Sequence, residues 1–248
     1  SGLQISYENL SEIKTTYTKE VKDLERYLNI EVKSLMGDTP VNLDSPEDRS
    51  KIIFSRAVLN KKQWASHFNL GYEVRGNARK KKRLPTMSTQ VFQQGLVRLT
   101  KPLFKTIMQR CSSCNGMGYK LALKRDGTVG KQKRICKSCD KKGVIYRPTR
   151  DFAGLGMNPR GPIDLTVHGF KTDRPTLDGL VVASRPEQKT FMESYIRYNA
   201  IKTYLKTFIE GIEKGLDDRS RIHPHYMQCV TSTGRLSSRN PNFQNMPR

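Results

Sequence analysis

The chain has 248 residues, 35% hydrophobic and 27% charged, with 45 Lys+Arg against 23 Asp+Glu for a formal net charge of +22. That length suits one or two domains with a modest core; no apolar run approaches the ~18 residues of a membrane span, and no secretory signal is visible at the N-terminus. The charge is concentrated: residues 71–150 hold 21 Lys+Arg and 3 Asp+Glu, which a solubility role does not require and which counterion release rewards when the partner is a polyanion.

The first segment predicts a long helix. Leu10, Ile13, Tyr17, Val21, Leu24, Leu28, Val32 and Leu35 recur at three- and four-residue steps, the period of a buried helical stripe. Ser6 is a candidate N-cap, and Gly37 and Pro40 mark the stop. Glu20, Lys22, Asp23 and Glu25 give it a solvated face. Asp44-Ser45-Pro46-Glu47-Asp48 announces a second helix: a cap, a proline in the first turn, then acids at the positive dipole end. Its apolar face is read as Ile52, Ile53, Phe54, Ala57 and Val58. A short third helix holds Trp64 and Phe68, with Trp64 as core because of the area its ring buries. Residues 71–83, with Gly71, Gly76, Asn77 and the run Arg79, Lys80, Lys81, Lys82, Arg83, read as a loop or disordered arm that seeks phosphate. Ser88 caps a further helix through Val91, Leu96 and Leu99.

Cys111 and Cys114, then Cys136 and Cys139, form two Cys-x-x-Cys pairs with 21 residues between them. Two-residue spacing lets both thiolates of a knuckle reach one ion, and the glycines at 116, 118 and 143 admit tight turns. Four thiolates make a closed tetrahedral Zn²⁺ site, structural and without an open position for catalysis; the alternative is a disulfide or redox pair. The first half, Cys-x-x-Cys-x-Gly-x-Gly, is similar to the zinc repeats of DnaJ-type chaperones. Between the knuckles, residues 120–125 and 131–134 read as two strands around Asp126-Gly127, giving a cationic zinc ribbon at about 106–146. The metal supplies folding energy that so polar a segment lacks. Cys229, far away, reads as a small buried residue.

Residues 144–183 are Gly/Pro-rich and read as loops and short strands, with His168 unassigned. Ser184-Arg-Pro-Glu187 opens a second long helix by cap logic. Phe191, Tyr195, Tyr198, Ile201, Leu205, Phe208 and Ile212 form its stripe, Gly215 ends it, and Lys202 and Lys206 lie one turn apart on another face. His223 and His225 bracket Pro224 and read as hydrogen-bonded turn residues, not metal ligands.

The last stretch is the most specific. From Thr231 to Arg248 the apolar residues are Leu236, Phe243 and Met246, while Arg235, Ser237, Ser238, Arg239, Asn240, Asn242, Gln244 and Asn245 supply donors with no carboxylate. Gly234, Pro241 and Pro247 forbid a continuous helix. A cationic, donor-rich loop suits the minor groove, which offers purine N3 or pyrimidine O2 acceptors at every base pair. Arg221-Ile-His-Pro-His-Tyr-Met-Gln-Cys-Val-Thr-Ser-Thr-Gly-Arg-Leu-Ser-Ser, followed by Asn240-Pro-Asn-Phe-Gln-Asn-Met-Pro-Arg248, resembles the entry to the palm of a family A DNA polymerase. Met227 departs from the pattern, since many members carry His there.

The resemblance implies a fold and a set of roles. It implies a mostly α chain with a small β zinc ribbon: antiparallel long thumb helices plus the beginning of an α+β palm. Residues 1–70 and 184–216 correspond to the thumb, 71–183 to a basic insertion carrying the ribbon, and 217–248 to the start of the palm. By likeness, Arg235 contacts the minor groove at the primer end, Asn242, Gln244 and Asn245 hold the duplex near the active site, and Arg248 lies near the incoming nucleotide. The helix bearing Lys202, Lys206 and Thr207-Phe208 lines the duplex. Double-stranded primer–template DNA and the remainder of the polymerase are the implied partners, with a processivity partner at the insertion, as in some phage branches, or a basic ribbon closing over the duplex. The palm carboxylates that hold two Mg²⁺ ions in the complete polymerase match nothing before Arg248, so the chain alone is expected to be inactive. The implied setting is the cytoplasm of a bacterial or phage-infected cell. The competing reading is a free-standing zinc-ribbon nucleic-acid-binding protein; it predicts that deleting 217–248 leaves affinity nearly intact.

Overall fold

In the computed structural model, which describes residues 2–75, 78–123, 129–227 and 237–239, a short strand β1 (Leu3–Gln4) leads into the 30-residue helix α1 (Tyr7–Met36). The Ser6 hydroxyl accepts from the Asn9 amide at 3.3 Å, as its cap position predicts. Gly37 closes the helix with φ +71 and its amide on the Lys33 carbonyl. Helix α2 (Pro46–Phe54) follows with Ser45 as N-cap and Pro46 at its start. It ends earlier than its apolar pattern suggests: Ser55 turns left-handed, and Ala57 and Val58 lie in strand β2 (Arg56–Val58). Helix α3 (Lys61–His67) comes next, capped by Asn60.

Within 71–83, expected as a loop or disordered arm, two stretches are strands: β3 (Tyr72–Arg75) pairs antiparallel with β4 (Ala78–Lys81), and Glu73 lies opposite Lys80. Helix α4 (Thr89–Leu99) is capped by Ser88 and leads into β5 (Thr100–Pro102), which pairs with β2. Two antiparallel ribbons follow. Strand β6 (Phe104–Arg110) pairs with β9 (Val144–Phe152), and β7 (Tyr119–Leu123) pairs with β8 (Val129–Ile135) between them. After a 3₁₀ turn at Pro162–Asp164 come β10 (Leu165–Thr166) and β11 (Gly169–Phe170).

The segment 144–183, expected as loops and short strands, also contains a helix: α5 (Arg174–Val182), capped by Asp173 on the Thr176 amide. Ser184 is not the cap of the next helix. Its hydroxyl donates to the Val181 carbonyl at the end of α5, and the Gln188 side chain instead accepts from the Arg185 amide to close the start of α6 (Pro186–Thr203). A π-helical turn (Tyr204–Ile209) continues α6 into α7 (Glu210–Gly215). Strands β12 (Arg221–Ile222), β13 (His225–Met227) and β14 (Ser237–Arg239) complete the described chain. Its strands pair two by two, all antiparallel. Among the described residues no helix is long and apolar enough to cross a membrane.

The chain divides into two compact units, 1–29 with 189–248 and 30–188. In the first, α1 runs antiparallel to the α6–α7 segment. Lys14 pairs with Glu213 at 2.8 Å, Tyr17 meets Tyr204 edge-on at 5.5 Å, and Glu20 binds Arg197 at 2.7 Å, so one chain ascends as the other descends. Leu10, Ile209, Ile212 and Ile222 are buried together beneath these contacts. Ile13, expected in the stripe, is 43% exposed.

In the second unit, Trp64 is fully buried, as its size predicts. Phe54 stacks on Phe170 at 4.6 Å, and Trp64 meets Phe170 and Phe68 edge-on at 5.3 and 4.8 Å. The indole N–H donates to the Thr166 carbonyl at 2.8 Å, so this buried donor is satisfied.

Candidate metal centre and nucleic-acid interface

The β6 strand that carries the first knuckle is pinned at its base. Gly37 bridges to Thr106, where a β-carbon on Gly37 would lie 2.3 Å from the Thr106 carbonyl oxygen. Only glycine fits that approach. The Asp38 carboxylate accepts from the Met108 amide at 2.8 Å, and the hydroxyls of Thr39 and Thr106 meet at 2.6 Å. Sequence reasoning missed this anchor, which joins residues about 70 apart and leaves no local signal.

From that base, β6 delivers Cys111 and β8 delivers Cys136. The Cys111 amide donates to the Gly143 carbonyl and the Cys136 amide to the Gly118 carbonyl, a reciprocal clasp between the knuckles. Gly118 (φ +77) and Gly143 (φ +71) are required twice over. Each is left-handed, and a β-carbon would sit 2.3 or 2.2 Å from a backbone oxygen of the other knuckle. Their amides in turn donate to the sulfurs of Cys114 and Cys139 at 3.3 Å.

The four sulfurs are buried and lie within 4.8 Å of one another. Cys111 and Cys136 are 3.8 Å apart and Cys114 and Cys139 are 3.7 Å apart. A disulfide needs about 2.05 Å. Four metal–sulfur bonds of about 2.3 Å at tetrahedral angles give sulfur separations of about 3.8 Å, which these distances match. Burial disfavours ionisation of Cys136, but backbone amides at Ser138 and Cys139 and the neighbouring thiols bring it down; burial drives Cys139 up and the other thiols add to it. Four thiolates this close would repel one another unless a cation lay between them, so the four buried cysteines are positioned to hold a metal.

The predicted cations are distributed over both units. Lys80 and Lys81 are exposed on β4, Lys82 is half-buried with its amide on the Gly71 carbonyl, and the Arg83 carbonyl accepts from Asn69. Arg79 lies in β4 by its backbone. In the first unit, Lys202 donates to the Tyr198 hydroxyl at 3.2 Å and its ammonium lies 5.2 Å from that ring's centre. Lys206 is exposed within the π-helical turn, which no local signal announces. His223 is a turn residue with a partner, as read: its Nε2 lies 2.9 Å from the Asp217 carboxylate. That contact, with the Arg221 and Arg219 amides, brings the Asp217 carboxyl down to about 2.

The donor-rich terminal motif enters the structure through one ladder. Strand β13 pairs with β14 so that His225, Tyr226 and Met227 face Arg239, Ser238 and Ser237, and Ser238 is buried. Arg235, Asn242, Gln244, Asn245, Arg248 and Cys229 lie outside the described residues, and Arg239 is placed by its backbone alone.

Fold and sites together define a strongly basic α+β protein with four buried cysteines positioned to bind one metal ion. Residues 152–248 match the sequence model of DNA polymerase family A. DNA polymerase I of Lactococcus lactis (strain MG1363) is 34% identical over 123 residues, covering 44% of this chain and 14% of that protein. The Pseudomonas aeruginosa enzyme of the same name is 35% identical over 121 residues, or 44% and 13%, and that of Treponema pallidum is 34% identical over 79 residues, or 32% and 7%. Over its C-terminal part the chain is thus similar to family A DNA polymerases, and it spans 7–14% of the length of these curated relatives. A solved structure, described as the POL domain of Pol1 from M. smegmatis in complex with DNA primer-template and dNTP, aligns over 100% of this chain and 24% of its own, at 14% identity and a TM-score of 0.46.

Proposed function

We propose that this chain is the duplex-gripping part of a template-directed DNA polymerase of family A. The observation that carries the reading is the family match over 152–248, a span that includes Arg235, Asn242, Gln244 and Asn245, the residues whose motif resembles the family's duplex-holding loop. Those side chains donate to purine N3 and pyrimidine O2, acceptors present at every base pair, so they hold any sequence equally. Arg239, beside them, adds a phosphate contact, and Arg248 faces the incoming nucleotide.

The antiparallel pair of α1 with α6–α7 serves as the thumb, with Lys202 and Lys206 directed along the duplex phosphates. Residues 1–70 and 184–216 form that thumb, 71–183 an insertion, and 217–248 the start of the palm. Arg79, Lys80, Lys81, Lys82 and Arg83 supply further phosphate contacts from the insertion. The metal is Zn²⁺, held by Cys111, Cys114, Cys136 and Cys139 in a structural role; the sulfur separations support it. Mg²⁺ belongs to nucleotidyl transfer in the complete polymerase. The carboxylates that hold it match no residue of this chain, so the 248 residues are expected to bind primer–template without extending it.

The test is fluorescence anisotropy of a labelled primer–template duplex titrated with the purified chain at several salt concentrations. Tight binding that weakens steeply with salt is expected, with a further loss of about tenfold or more for Arg235→Ala and no change in sequence preference. Binding indifferent to both salt and Arg235 would remove the basis of the reading.

A further inference from the structure

The ribbon β7–β8 is electrostatically frustrated. Lys120 on β7 lies directly opposite Arg134 on β8, and like charges at directly opposed positions destabilise a strand pair. Both side chains are exposed, and so are Lys131 and Lys133. Among the described residues none of these four forms an ion pair. Relief is scarce nearby: from Phe104 to Phe152 the chain has 13 Lys+Arg and 3 Asp+Glu.

The cations stand on both faces of the ribbon. Leu121 lies opposite Lys133, and Tyr119 opposite Ile135, on one face; the Lys120–Arg134 pair points from the other. A flat anionic surface would engage only one such face. A groove walled by phosphates on two sides engages both, and the major groove of B-DNA, ≈ 12 Å wide, admits a two-stranded β-ribbon.

Unpaired bases fit less well. The aromatic residue of the ribbon, Tyr119, is half-buried with the Lys133 ammonium 4.5 Å from its ring centre, so no free ring is offered for stacking.

We infer that the β7–β8 arm, held out by the four-cysteine centre, is a second duplex-binding element. It grips DNA phosphates through Lys120, Arg134, Lys133 and Lys131, independently of the terminal motif. The inference rests on the reading of the chain as a duplex-gripping protein and names the arm as one source of that grip. The charge of the two units agrees with it: residues 1–29 with 189–248 hold 14 Lys+Arg against 10 Asp+Glu, whereas residues 30–188 hold 31 against 13.

The experiment uses the full chain, reconstituted with zinc, and compares wild type, Lys120→Thr with Arg134→Thr, and Arg235→Ala. Affinity for a 20-base-pair duplex and for the matching single strand is read across salt concentrations, and thermal stability is read without DNA. Threonine keeps strand propensity and removes the opposed charges. The expected result for the double variant is a salt slope shallower by about 2 and a loss of duplex affinity of about tenfold or more at ~0.1 M salt, together with a Tm equal to or above that of wild type. Affinity and stability moving in opposite directions is what a purely structural pair would not produce.

An unchanged slope in the double variant, with Arg235→Ala still weakened, overturns the arm and leaves the terminal grip standing. A fall in Tm that accompanies the affinity loss also overturns it, since the pair would then be structural. Equal losses on duplex and single strand overturn the groove assignment. Salt-indifferent binding by wild type would overturn the duplex-gripping reading itself.

Discussion

Replacing Cys139 with serine tests the metal centre most sharply, because so little else holds that part of the chain. The buried cluster at the knuckles consists of the four cysteines themselves, with Ile145 packed against them. Burying one isoleucine side chain contributes about 1.5–3 kcal/mol. A four-ligand structural zinc contributes about 10–16 kcal/mol, several times more, so a zinc in the proposed site would govern the ribbon's order. Its strands bring little of their own: Leu121 and Ile135 remain 43% and 54% exposed.

Wild type is expected to carry one zinc per chain by chelator-dye release, with four thiols masked until the chelator is added. In Cys139→Ser the zinc is expected to fall well below one, and amide hydrogen exchange across 111–143 to become fast, while the base of β6 stays held by Gly37, Asp38 and Thr39. Protection around Leu10, Ile209, Ile212 and Ile222 should persist, since that cluster contains no cysteine. Slow exchange across 111–143 in metal-stripped protein would refute the argument, and so would a mass spectrum showing two disulfides in freshly purified wild type.

Two other perturbations have signs fixed by the structure. Asp164 is fully buried and accepts from the Arg160 amide, Nε and Nη2; Arg160→Leu leaves that carboxylate without its counter-charge. The unfolding free energy should drop by about 3 kcal/mol, the low end for a broken buried pair because the arginine is 41% exposed. Denaturant melts should show it, and Asp164→Asn in the same background should recover part of the loss. Asp217 is held down to about 2 by His223 and by backbone amides. A depressed carboxyl stabilises above its ordinary value of 3.8 and loses that contribution as pH falls toward 2. NMR titration of the Asp217 carboxyl should therefore give a midpoint near 2 that moves upward in His223→Ala; a midpoint near 3.8 in wild type would remove the pairing.

Signals carried by neighbours in sequence were legible. Ser6, Ser45 and Ser88 are read from cap chemistry and bond the amides expected, and the cysteine spacing names the quartet outright. Where a segment's conformation depends on a distant partner, or where two local signals conflict, the reading fails. The run at 79–83 looks like a solvated arm by charge, yet strand pairing uses backbone groups, and Gly76-Asn77 between the strands is itself a hairpin signal. Helix α5 was hidden because Leu180-Val181-Val182 favours strand, although Asp173-Arg174-Pro175 carries the same cap-and-proline logic as Asp44-Ser45-Pro46. Ala57 and Val58 continue an apolar pattern but pair with β5 across about 43 residues, a contact no local period encodes. Pinning β6 at Gly37 is of the same kind.

The two halves of the proposed grip then differ in physics as well as in place. As proposed, the terminal motif would rely on Asn242, Gln244 and Asn245, neutral amides whose hydrogen bonds are little screened by salt, with Arg235 as the charged exception. The insertion would rely on ammonium and guanidinium groups on strands, whose contribution would come from counterions released into bulk solution and fade as salt rises. A polymerase that must translocate needs contacts that do not fix one register, and phosphate contacts from an arm satisfy that because every phosphate is equivalent. Minor-groove acceptors repeat at every base pair as well, so both halves permit stepping while neither reads sequence. The salt dependence of binding should therefore track the cations of residues 30–188, and the dependence on groove geometry should track the amides of 240–248. A duplex whose minor groove is blocked by a small ligand would lose the second contribution and keep the first.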